Sequence, residues 1–153
     1  MTPLLEAIEN GQLDAAHTLL ELGANVHQTD RDNVSPLHSA CKTGNLHLCE
    51  LLFNYGARIN AECIKHTTPL FAAILFNHNP IVEWLLDHGA NPFKPSRHFL
   101  RDTMIDTTPM DLAIDLQDEI VAPLLAKQGV CDKRLCSVDI LWRRESLFIL
   151  VQE

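Results

Sequence analysis

Apolar residues along this chain gather in short bursts. Leu48, Leu51 and Leu52 form one stripe, and Ile81, Val82, Trp84, Leu85 and Leu86 form another. Spacings of three and four residues place such positions on one face of a helix. The pattern predicts a helix over 36–43, broken by Gly44-Asn45, and a second over 46–54, ended by Gly56. A glycine just past a helix supplies the left-handed residue that closes it at low cost. Pro3, Pro36, Pro69 and Pro109 each follow a Thr or Ser. That is the order of an N-cap followed by a first-turn proline. Helices shorter than about 12–15 residues are marginal alone, so each pair must bury its stripe on a neighbour.

The bursts repeat. Thr2-Pro3-Leu4, Ser35-Pro36-Leu37 and Thr68-Pro69-Leu70 are 33 residues apart, and Thr108-Pro109-Met110 follows after 40. Gly23-Ala24-Asn25, Gly56-Ala57-Arg58 and Gly89-Ala90-Asn91 keep the same step, with Gly129-Val130 after 40. From each Pro to its Gly is 20 residues in all four copies. The seven extra residues therefore lie between Gly89 and Thr108, in a connection and not in the repeat body.

A 33-residue period with TPLxxA and a closing GAN resembles the ankyrin repeat. The best copies are Ser35-Pro36-Leu37-His38-Ser39-Ala40-Cys41 and Thr68-Pro69-Leu70-Phe71-Ala72-Ala73. The resemblance implies an all-α solenoid of four helix-turn-helix repeats with finger loops, over about 2–34, 35–67, 68–107 and 108–136. Eight short helices and no extended sheet are expected. The fourth copy departs most, with Met110 for Leu, Asp111 for His, Gln117 for the inter-helix Gly and Pro123 inside its second helix. Terminal repeats are often atypical because they face solvent. The resemblance also gives His38 a structural role, its imidazole bonding the backbone or the neighbouring hydroxyl. Asn60 takes the place of the family's finger Asn, which ties the finger by hydrogen bonds and is a candidate for modification.

Composition narrows the function. The 153 residues carry 12 Lys plus Arg against 20 Asp plus Glu, a net charge of −8. Phosphate backbones are repelled on average, which argues against nucleic acid. No apolar run approaches about 18 residues and no secretory leader opens the chain, so neither a membrane nor export is expected. The five cysteines, 41, 49, 63, 131 and 136, are odd in number and form no CxxC. Reduced thiols in the cytoplasm, the nucleus or both are expected. No cofactor or metal is expected. His47 and Cys49, two apart, point to different sides of a helix, and Cys131 and Cys136 have the wrong spacing for a zinc knuckle. His17, His27, His66, His78, His88 and His98 scatter over helix ends and fingers as surface residues. Asp111, Asp115, Asp118 and Glu119 read as a solvated acidic face. No P-loop, GxSxG, GxGxxG or HExxH occurs, so no enzyme is expected.

The expected function is a protein-interaction module, monomeric, binding on its concave face and fingers. The residues before each inter-helix position are Glu9-Asn10, Lys42-Thr43, Leu75-Phe76 and Asp115-Leu116. The third pair is wholly apolar: either the insert covers it or it anchors a partner. Residues 92–104 carry Phe93, Phe99, Leu100 and Met104 with three basic residues and one acidic one. Long loops inside compact domains are usually functional or disordered. An acidic, apolar protein segment suits this surface. The candidate contacts are Arg31, Asp32, Val34, Lys42, Ile64, Lys65, Leu75, Phe76, Phe99, Arg101 and Leu116, with Thr29, Glu62 and Thr67 beside them. Residues 137–153 are too apolar for a free tail and either cap the last repeat or dock on another chain. The chain also resembles the ankyrin repeat and SOCS box family, which implies an alternative: substrate recognition for a cullin-RING ubiquitin ligase through elongins. Leu147 is followed four residues on by Val151 where that box has Cys or Ser, and no complete box is present. An enzyme-blocking regulator is a third reading.

Overall fold

A computed structural model describes residues 2–100, 103–115, 120, 121 and 124. Six helices form three pairs: α1 (Pro3–Glu9) with α2 (Leu13–Glu21), α3 (Pro36–Thr43) with α4 (Leu46–Asn54), and α5 (Pro69–Leu75) with α6 (Asn79–Asp87). β1 (Ser96–Leu100), β2 (Thr103–Thr107) and α7 (Pro109–Asp115) follow. Each first helix packs on the next, α1 on α3, α3 on α5 and α5 on α7. The second helices stack behind them, α2 on α4 and α4 on α6. The result is a helical solenoid whose core runs continuously along the stack, through Ile8, Leu37, Leu48, Leu52, Phe71, Ile74, Ile81, Leu85 and Leu112. On the outer helices Phe53 meets Trp84 edge to face at 5.6 Å between ring centres.

The caps explain why the helices begin and end where they do. The hydroxyls of Thr2, Ser35 and Thr68 accept from the N–H groups of Leu5, His38 and Phe71. At the other end, Ala24, Ala57 and Ala90 each donate to a carbonyl five residues back, at 2.9 Å in every repeat. This closure puts the preceding Gly23, Gly56 and Gly89 at positive φ. The turn between paired helices needs the same backbone, supplied by Gly11, Gly44 and, in the third pair, Asn77 at φ 59°.

Gly44 carries a second demand. A Cβ there would meet the His78 ring at 2.5 Å, and that ring reaches the Lys42 carbonyl through Nε2 at 3.1 Å. Gly44→Ala is expected to cost about 1–2 kcal/mol for the left-handed backbone and about 1 kcal/mol more for the displaced His78 hydrogen bond. Gly56→Ala, with nothing within 4 Å of the added carbon, should bear the backbone cost alone. Urea titrations of both variants measure the difference; equal costs would remove the ring from the account.

Among the described residues there are seven helices and one two-stranded antiparallel sheet. The fold is mostly helical, as expected, and where no extended sheet was expected the insert forms this small hairpin. Its origin lies in the fingers. In the first two, Asp30 N–H donates to the Val34 carbonyl and Cys63 N–H to the Thr67 carbonyl, both at 3.2 Å. The equivalent third pair is Ser96 with Thr107. The insert therefore lengthens a finger that already turned back on itself. An eighth helix was expected near 120. There Leu124 N–H donates to the Ile120 carbonyl at 3.4 Å, while Gln117, Pro123 and the tail over 137–153 lie outside the described residues.

Candidate functional site

The fingers are joined to one another by a hydrogen bond that recurs every 33 residues. Ile64 N–H donates to the Asp32 carbonyl at 3.0 Å, and Arg97 N–H donates to the Lys65 carbonyl at 2.8 Å. Each tip turns through a residue at positive φ, Asn33 at 59° and His66 at 55°. Asn33 Nδ2 also donates to the Glu62 carbonyl at 2.9 Å, and Ser96 Oγ donates to the His66 carbonyl at 3.3 Å. Below the tips, Asn60 bridges to the next repeat twice, Nδ2 donating to the Gly89 carbonyl at 3.1 Å and Oδ1 accepting from Asn91 N–H at 2.8 Å. This is the tie expected of that residue.

His38 also sits where it was placed. Its Nδ1 lies 2.8 Å from Ser35 Oγ and its Nε2 lies 2.8 Å from the Thr67 carbonyl. A carbonyl can only accept, so Nε2 carries the proton and the neutral ring accepts at Nδ1. Burial pushes its pKa below the ordinary value of 6.5, against smaller upward pulls from the Thr67 hydrogen bond and Asp30. Asp111 takes over this position in the last described helix, its carboxylate accepting from the N–H and hydroxyl of Thr108 at 3.0 and 2.7 Å.

Of the candidate contacts, Arg31, Asp32, Lys42, Ile64, Lys65, Leu75 and Phe76 are exposed and Val34 is half-buried. The structure brings them together in two sets. Asp32 and Ile64 meet through backbone, as Lys65 does with Arg97. Lys42 Nζ stands 5.9 Å from the centre of the Phe76 ring, within reach of a cation–π attraction. Leu75 and Phe76, at the end of α5, are 47% and 44% exposed. The side chain of Phe99, and the residues Arg101 and Leu116, lie outside the described residues.

Four contacts were not anticipated. Lys94 Nζ pairs with Glu62 Oε1, and Glu62 Oε2 pairs with His66 Nδ1 at 3.2 Å. These two partners, Lys94 first, hold the Glu62 carboxyl below its ordinary range. Glu62 is thus committed within the chain. His78, read as one more surface histidine, instead bridges two repeats through the Lys42 carbonyl. Cys41 and Cys49 place their sulfurs 3.9 Å apart in the core as free thiols, and burial raises the Cys41 pKa. Among the described residues no group of three or more His, Cys, Asp or Glu is arranged to hold a metal. No helix among them is long and apolar enough to cross a membrane.

This geometry is a stack of two-helix units with tied finger loops, and comparison with known families agrees. The family described as ankyrin repeats (3 copies) matches residues 4–96. The chain belongs to the ankyrin-repeat family, whose arrays serve generally as protein-interaction modules. No curated protein matches the chain.

Proposed function

We propose that this chain is a non-enzymatic binding module that takes a protein partner on its concave side and finger tips, with Phe76 as the anchor. The observation that carries the reading is the contrast along α5. Phe71 and Ile74 are fully buried, yet Leu75 and Phe76 at the end of the same helix face solvent. An exposed aromatic beside a Leu, with the Lys42 ammonium over its ring, has the composition of an interface anchor. The fingers add Arg31, Ile64 and Lys65, all exposed. Apolar anchors among basic tips suit an apolar partner segment with acidic flanks.

The test begins with a photoreactive amino acid in place of Phe76, used to capture and identify the partner. Affinities of the purified partner are then measured for the native chain and for Phe76→Ala. A loss of about 2 kcal/mol, roughly 30-fold, is expected with the thermal transition unchanged. Unchanged affinity would move the site elsewhere, and an unfolded variant would make Phe76 a core residue.

A further inference from the structure

We propose that the outer edge of β1, at Phe99, receives an extended segment of the partner as a third strand, with a carboxylate of that segment facing Lys65. The proposal rests on the binding reading above and names how the partner is held.

The register decides which backbone groups point outward. Leu100 pairs with Thr103 across two intervening residues, and the pair that closes a two-residue hairpin exchanges hydrogen bonds. Pairing then alternates along the ladder. His98–Ile105 and Ser96–Thr107 turn their N–H and C=O groups inward, while Arg97 and Phe99 turn theirs outward. Arg97 does so, donating to the Lys65 carbonyl at 2.8 Å. The second finger ends at that level, its turn closed by Cys63 and Thr67. Three pairs of the hairpin stand beyond Arg97–Asp106, a projection of roughly 10 Å at about 3.4 Å per residue. Phe99, two residues past Arg97, directs its N–H and C=O to the same side, above the second fingertip.

Among the described residues the sheet has two strands, and none of those residues adds a third to this edge. Exposed edges are templates for an added strand and are ordinarily shielded. Strand addition is also a general mode of peptide recognition, with main-chain bonds giving affinity and alternate side chains giving specificity. The surroundings define the occupant. Ile64 is 62% exposed at the neighbouring tip, and Lys65, next to it in the chain, is exposed too. Lys94 and Arg97 are engaged by Glu62 and Asp106, but no ion pair takes up Lys65 among the described residues. A segment alternating apolar and acidic residues places an apolar side chain toward Ile64 and a carboxylate toward Lys65.

The probe is a synthetic peptide of alternating Val and Glu, about eight residues long, titrated into the full chain and followed by NMR and amide hydrogen exchange. Exchange at Phe99 is expected to slow at least about tenfold on binding. Phe99→Pro removes the outward N–H without touching the β1–β2 bonds and should weaken the peptide at least about tenfold. N-methylation of one alternate set of peptide amides should abolish binding and of the other set should not. That second readout stands even if the proline variant fails to fold. No binding at about 1 mM peptide, indifference to both N-methyl sets, or slowed exchange at Met104 and Asp106 instead would overturn the proposal. With the captured partner, loss in Phe76→Ala but not in a folded Phe99→Pro keeps the binding face and rejects the edge. Loss in Phe99→Pro alone keeps the edge and rejects the Phe76 anchor, and loss in neither rejects both.

Discussion

Phe71→Ala is expected to destabilise the array by about 3–5 kcal/mol, the range for truncating a buried aromatic. Phe71 is 1% exposed and stands where His38 and Asp111 stand in the neighbouring copies. Those two residues complete caps, whereas Phe71 fills core. Its helix, α5, packs on α3, α6 and α7, so the loss falls on a helix with three neighbours. Stability in a solenoid is a sum of unit and nearest-neighbour terms. A total of roughly 5–15 kcal/mol leaves little margin for this loss. Denaturant unfolding followed by far-UV circular dichroism measures it. A change under about 1 kcal/mol would mean that the site collapses to fill itself, contrary to the packing described.

His38→Ala is expected to cost about 2–3 kcal/mol: two hydrogen bonds at about 1 kcal/mol each, with lost packing besides. The effect carries a pH signature. The folded pKa lies below 6.5, so as pH falls through that value the unfolded chain gains a proton that the folded chain refuses. His38 therefore loses stabilising effect from about pH 6.5 downward, toward its lowered folded value, and makes its full, pH-independent contribution above. The stability gap between native chain and variant should be full above that pH and shrink below it. Taking the difference cancels the other seven histidines. A gap that widens on acidification would mean a charged imidazole in the fold, with Nδ1 protonated as well as Nε2.

What the sequence disclosed follows from the range of the forces involved. Helices over 36–43 and 46–54 were legible because Ser35, Pro36, Gly44 and Asn45 set those ends by contacts within four residues. The location of the insert was legible from the fixed 20-residue spacing. Its conformation was passed over, although Ser96–Leu100 and Thr103–Thr107 flank two polar residues as hairpin strands do. What secures the hairpin to the array is the Lys65 carbonyl, 32 positions away in the neighbouring finger. The candidate site divides in the same way. Lys42 and Phe76 occupy nearly equivalent places in successive repeats, so their meeting was readable from the period. The Lys94–Glu62–His66 chain and the reach of His78 to Lys42 depend on side-chain directions that no period encodes.

The hairpin also has a parity. The first two fingers close around three residues, 31–33 and 64–66, each ending in a left-handed residue. The third closes around two, with four rungs below it down to Arg97–Asp106. Rungs use residues in twos, so lengthening a finger by an even number keeps the odd tip, and an odd number exchanges it for an even one. Seven is odd, and the tip has changed class accordingly. Further growth or trimming of this finger by two residues would add or remove one rung and leave the tip intact. A change of one would force the tip to be rebuilt, while the helices below, held by their own caps, would register nothing.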